Sequence, residues 1–260
     1  MPSFEHDSIS LHFEASGDGP PLLLIAGMLS DSASWAPLVP LLEPHFTVIR
    51  PDNRSTGRTA PWNAPASIDH CAADCAALVD SLSIGPAHVV GHSLGGMIGL
   101  RMAHRYPSAV GSLTLAAAAP LRLERNVALF RNLLAIRQSN AAPETWLHTL
   151  FAWLFAPALY DIPGAVAQAA TTALAYPYAQ TAAAMAHQIA SLDGYRPDGL
   201  DGVPMPVQAL LAADDLLLPE ALARNALGAT PTHIVPDAGH SIHWDAPEAV
   251  AAHIRRFTDQ

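Results

Sequence analysis

The stretch Gly91-His92-Ser93-Leu94-Gly95-Gly96 places a hydroxyl among glycines, directly after the apolar run PAHVV and directly before the helix-forming MIGLRMAHRYP. This G-x-S-x-G spacing has a physical meaning. A sharp strand-to-helix turn lifts the serine Oγ out of the sheet, and its neighbours must be glycine because side chains there would collide. The Leu94 N–H then stands at the helix start, where the positive end of the helix dipole favours a developing oxyanion. A serine hydroxyl is a weak nucleophile at neutral pH, so it needs a base, and the base needs an orienting acid. Asp215 in LLAADDLLLP and His240 in VPDAGHSIHW supply them in the order serine, acid, histidine, each just past an apolar run. Loops at that edge of a parallel sheet assemble sites.

Asp214 competes with Asp215, and Pro219 four residues on favours Asp215. His243 competes with His240, and Gly239 permits a tight loop at the latter. His92 points the opposite way across the turn and is expected to line or pack the pocket. A second oxyanion donor is expected in IAGMLSDSASW after LLLIA, namely the Met28 N–H. Ser93 occupies the second glycine's place of a G-x-G-x-x-G pattern, which argues against a dinucleotide site.

Whole classes of function drop out on composition. The formal net charge of −10 argues against nucleic acid and anionic membrane surfaces. All 13 residues of the Lys+Arg count are arginine, so a lysine Schiff base or P-loop lysine is excluded. Cys71 and Cys75 lie four apart in a predicted helix, neither a CxxC pair nor half of a zinc site, and are read as buried packing residues. No apolar stretch reaches membrane-spanning length, and MPSFEHDSISLHFE lacks the features of a secretory signal. The expectation is a cytoplasmic protein.

The elements that must position these residues follow from the hydropathy pattern. Strands are predicted at 9–14, 21–27, 46–52, 86–93, 112–118, 206–214 and 232–239, alternating with helix-length segments. That alternation predicts an α/β fold, a mostly parallel central sheet with helices on both faces. Between 121 and 200 the alternation stops and the chain reads as helical, broken at Pro143, Pro157 and Pro163. The expected organisation is a core of 1–120 and 201–260 with a helical cap, 121–200, inserted.

Taken together, AGMLSD (26–31), PDNRSTGRT (51–59), GHSLGG (91–96), AADDLLLP (212–219) and DAGHSIHWDAPEAV (237–250) resemble the α/β-hydrolase family, in its cap-bearing branch. Within it the chain is most similar to small carboxylesterases and enol-lactone hydrolases. The resemblance implies a serine hydrolase of a small-molecule ester or lactone, with Ser93, His240 and Asp215 as catalytic triad and Met28 and Leu94 as oxyanion donors. It implies no cofactor and no metal, and a homodimer is left open. Three departures stand out: Ala26-Gly27 where the family has His-Gly, Arg54-Ser55 where it has Arg-Gly, and Ala212 in place of a glycine. The first alters the support of the oxyanion loop.

Aromatic residues of the inserted helices, Trp153 and Phe155 among them, are expected to give an apolar substrate pocket. Arg122, Arg125, Arg131 and Arg137 could bind a substrate carboxylate, although a solvated helix face explains them more simply. Two other readings remain. Carbon–carbon hydrolases of meta-cleavage products share the triad but carry tryptophan directly after the histidine, where this chain has Ser241. A non-catalytic ligand-binding protein of the same fold is the alternative outside enzymes; perhydrolase activity would be a side reaction of the triad.

Overall fold

A computed structural model describes residues 3–259. Eight strands form a sheet: β1 (Ser3–His6), β2 (Ile9–Ser16), β3 (Pro21–Ile25), β4 (Thr47–Pro51), β5 (Ala87–His92), β6 (Val110–Ala116), β7 (Val207–Ala212) and β8 (Thr232–Val235). Their order is β1-β2-β4-β3-β5-β6-β7-β8. The first two pairings, β1 with β2 and β2 with β4, are antiparallel, and all the others are parallel. The expected α/β architecture is thus present, with β1 as an edge strand that the sequence reading did not include.

Strand alternation divides the core in two. Leu23 and Ile25 point to one face with Val89, Leu113 and Leu211. Leu22 and Leu24 point to the other with Val90, Ala116 and Leu210. The first face is covered by α2 (Ile68–Leu82), α3 (Leu94–Arg105) and α9 (Glu220–Leu227); the second by the short α1 (Val39–Leu42) and by α10 (Ile242–Asp245) and α11 (Pro247–Thr258). α2 begins where Ser67 Oγ accepts the His70 N–H, and it ends at Ser83 in the left-handed conformation. Cys75 is buried in the first core and the half-buried Cys71 packs against it; burial pushes the Cys71 thiol up to about 12 and Cys75 well up.

Between β6 and β7 come five helices: α4 (Glu124–Gln138), α5 (Thr145–Leu154), α6 (Ala158–Asp161), α7 (Ala165–Ala175) and α8 (Ala182–Ala190). They have small cores of their own. Leu133, Leu150, Met185 and Ile189 form one, onto which Met28 and Leu29 pack from the loop after β3. Leu147, Phe151 and Ala170 form another. No helix of the described residues is long and apolar enough to cross a membrane.

Candidate active site

Ser93 sits in the turn between β5 and α3 at φ 52°, ψ −116°. A non-glycine residue in this region costs about 1–3 kcal/mol and persists only where its surroundings over-determine it. The surroundings here are tight. A Cβ on Gly91 would stand 2.2 Å from the Gly95 carbonyl oxygen, and one on Gly95 would stand 2.0 Å from that of Ile25. On Gly96 it would meet the Ala118 Cβ at 2.4 Å. Close approach therefore explains the glycines, as the spacing predicted.

The three dispersed residues converge. His240 Nε2 lies 2.8 Å from Ser93 Oγ, and His240 Nδ1 lies 2.8 Å from Asp215 Oδ2. The other Asp215 oxygen accepts the N–H groups of Leu217 and Leu218, each at 2.8 Å, which fixes the carboxylate plane. A carboxylate facing Nδ1 selects the tautomer protonated there, leaving Nε2 to accept the serine hydroxyl. Asp214 is exposed and, with Phe155, Tyr160 and Asp215 itself, lines a second cavity. Of the two adjacent carboxylates, Asp215 is the one on the histidine.

Beneath this array lies a buried aromatic cluster. The His92 Nε2–H donates to the His240 backbone carbonyl at 2.8 Å. The His92 ring packs against His240 (5.1 Å between centroids) and His243 (4.5 Å), and His243 lies 4.7 Å from Trp35. Burial pushes His92 down to about 3 and His243 well below its ordinary range, so both are neutral. His92 thus packs under the site and is outside the pocket lining, and His243 is a core residue.

A cavity of about 130 Å³ opens over Ser93 and His240. Met28, Leu94, Met97, Phe130, Ile189 and Leu192 give it an apolar wall, and Arg122, Asn126 and Tyr195 are its polar members. Among the described residues the N–H groups of Met28 and Leu94 find no acceptor. Both border the cavity that the serine faces. Among those residues, no group of three His, Cys, Asp or Glu side chains could hold a metal ion.

Trp153 and Phe155, expected as pocket residues, lie elsewhere. Trp153 stands 5.8 Å from the Arg125 guanidinium, and Phe155 packs edge-on against Phe151 at 5.3 Å and lines the cavity beside Asp214. Neither lines the cavity over Ser93, a direction that hydropathy does not reveal. Sequence reading did not single out Phe130 of α4 and Ile189 of α8, which line the cavity over Ser93, because any apolar residue on those helices was an equal candidate. Of the four arginines only Arg122 lines the cavity. Arg125 bonds the Leu216 carbonyl, Arg131 pairs with Asp193, and Arg137 bonds the Gln180 carbonyl.

The family's departures are accommodated locally. Ser55 adopts the left-handed φ of 68°, where glycine would be relaxed, and its Oγ lies 2.8 Å from His187 Nδ1 of α8. Arg54 beside it is buried and makes a two-pronged contact with Asp74 at 2.7 and 2.8 Å. Asn53 donates to the Ala26 carbonyl at 3.1 Å, tying the loop after β4 to the loop after β3.

This sheet, this turn and this serine–histidine–aspartate array are those of the α/β hydrolases. The model of the alpha/beta hydrolase family matches residues 22–253, and the chain belongs to that family. It is similar to a protein of Variovorax paradoxus named carbamate hydrolase RutD, 30% identical over 239 residues, 89% of each chain. Among solved structures it is similar to one of Mycobacterium tuberculosis named non-heme bromoperoxidase BpoC, at 27% identity, TM-score 0.83 and 98% coverage of both chains. It also shares its fold with the enol-lactonase of Burkholderia xenovorans, at 20% identity, TM-score 0.82 and full coverage of both chains.

Proposed function

We propose that this hydrolase cleaves a small carboxylic ester or lactone through an acyl-enzyme on Ser93. The single observation that carries the reading is the continuous chain Asp215–His240–Ser93, with both links at 2.8 Å. His240 Nε2 takes the hydroxyl proton as Ser93 Oγ bonds to the substrate carbonyl carbon. The carbonyl electron pair moves onto oxygen, which the Met28 and Leu94 N–H groups hold. Collapse breaks the acyl C–O bond, and the leaving alkoxide takes the proton from His240. Water, activated by the same imidazole, then attacks the acyl carbon and restores Ser93.

The apolar cavity of about 130 Å³ supports a short acyl group, since a cavity near that size holds a benzene-sized molecule. A second reading is carbamate hydrolysis, favoured by the name of the 30%-identical relative. It needs the same attack but places an N–H group or charge where the wall is mostly apolar, at a desolvation cost. A panel of p-nitrophenyl acetate, butyrate and decanoate, small lactones and alkyl carbamates tests both. Short esters or lactones are expected to lead in kcat/KM, with turnover lost in Ser93→Ala. Carbamates ahead by about tenfold or more, a gap of ~1.4 kcal/mol, would favour the second reading. Undiminished turnover in Ser93→Ala would end both.

A further inference from the structure

The Met28 donor lies on a loop whose backbone is strained. Leu29, the next residue, has φ 63°, a left-handed value unfavourable for a γ-branched side chain. The Ala26 side chain earlier in the loop is a methyl group and offers no hydrogen bond. Something else must hold the Met28–Leu29 peptide in place.

Gln188 of α8 is 3% exposed, and its Oε1 accepts the Leu29 N–H at 3.0 Å. The same oxygen accepts Gln180 Nε2 at 3.0 Å, and that nitrogen also donates to the Ser55 carbonyl at 2.8 Å. Met28 and Leu29 pack on the cluster of Leu133, Leu150, Met185 and Ile189, the last two of which lie near Gln188 in α8. Two residues before Met28, Asn53 holds the Ala26 carbonyl at 3.1 Å. The chain is therefore held on both sides of Met28, at Ala26 by Asn53 of the loop after β4 and at Leu29 by Gln188 of the inserted helices.

We infer that Gln188 is the positioning residue of the oxyanion loop: by accepting the Leu29 N–H, it fixes the direction in which the adjacent Met28 N–H points into the pocket. This rests on the acyl-transfer reading. It makes the inserted helices part of the catalytic geometry, beyond their role as a wall. A donor aimed before reaction spends nothing on reorganisation as charge develops, whereas a loose donor gains strength only in part. Gln188 touches neither substrate nor reacting atoms, so its removal should weaken the transition state and spare ground-state binding.

The test compares Gln188→Met, which keeps length but has no carbonyl acceptor, with Gln188→Glu, which keeps an acceptor. Thermal melts accompany kcat, KM and the inhibition constant of an alkyl trifluoromethyl ketone, whose hemiketal oxygen occupies the oxyanion position. Gln188→Met is expected to lose about 10- to 100-fold in kcat with KM changed less than about threefold, and to lose trifluoromethyl ketone affinity in parallel. Gln188→Glu is expected to recover kcat to within about fivefold of the unmodified protein. Folded Gln188→Met with unchanged kcat, or with a loss confined to KM, would overturn the assignment. Should Gln188→Met not fold, Gln180→Met removes the bond that steadies Gln188. A kcat loss at unchanged KM there supports the inference, and undiminished kcat overturns it. Ser93→Ala separates the two levels: if it retains turnover, the acyl-transfer reading fails, independently of Gln188.

Discussion

The Nε2–H of His92 donates to the backbone carbonyl of His240 at 2.8 Å, joining the residue before the serine to the residue that faces it. With its only proton on Nε2 and burial holding it near 3, His92 is a fixed neutral donor. His92→Phe keeps the ring stack but leaves that carbonyl without its partner. We expect a stability loss of about 1–3 kcal/mol in urea unfolding, and a fall in kcat as the His240 loop relaxes. A variant as stable and as active as the unmodified protein would show that the bond is incidental.

Two buried neutral histidines also set a pH dependence of stability. In the unfolded chain His92 and His243 titrate near 6.5; in the folded protein burial keeps them neutral far below that. Below pH 6.5 the unfolded state therefore binds more protons, and stability falls as pH falls, down to about 3 for His92. Each contributes a limiting slope of about 1.4 kcal/mol per pH unit. Urea midpoints between pH 7.5 and 5 should decline for the unmodified protein and decline less steeply for His243→Phe. Parallel declines would contradict the burial argument.

The adjacent carboxylates should behave very differently. Asp215 lies 2.8 Å from His240 Nδ1 and is capped by two N–H groups, whereas Asp214 is exposed. Asp215→Asn is expected to lower kcat by about 10⁴-fold, through the wrong imidazole tautomer. Asp214→Asn should stay within a few-fold. Comparable losses from both, measured on one ester, would refute the division of roles.

Close approach at the turn sets a fourth expectation. A Cβ on Gly95 would meet the Ile25 carbonyl oxygen at 2.0 Å, a backbone atom that no rotamer change can move. Gly95→Ala should destabilise by about 3 kcal/mol or more, and thermal unfolding reads the shift directly. A neutral outcome would mean that β3 and α3 separate more easily than their packing indicates.

The sequence was most legible where local geometry demands a residue type. The glycines around Ser93 mark the turn, and the apolar runs leading to Asp215 and His240 are the strands β7 and β8 that place them beside it. It was least legible where the answer depends on distant packing. β1 escaped notice because SFEH is short and lies at the sheet's edge, and its turn to β2 uses Asp7 and Ser8 at positive φ in place of an Asn-Gly signal. Trp153 and Phe155 were credible pocket residues by composition, but their contacts with Arg125 and Phe151 decide their direction. Gln188 carried no signal at all, since a glutamine on an alanine-rich helix gains meaning only when Leu29 is brought against it.

Covalent capture of the nucleophile tests acyl transfer at Ser93 most directly. The protein is treated with a fluorophosphonate, digested, and the modified residue located by mass spectrometry. The adduct is expected on the peptide bearing Ser93, absent from Ser93→Ala and strongly slowed in His240→Ala, whose base lies 2.8 Å from the hydroxyl. A label on another residue, or equal labelling after Ser93→Ala, would contradict the account.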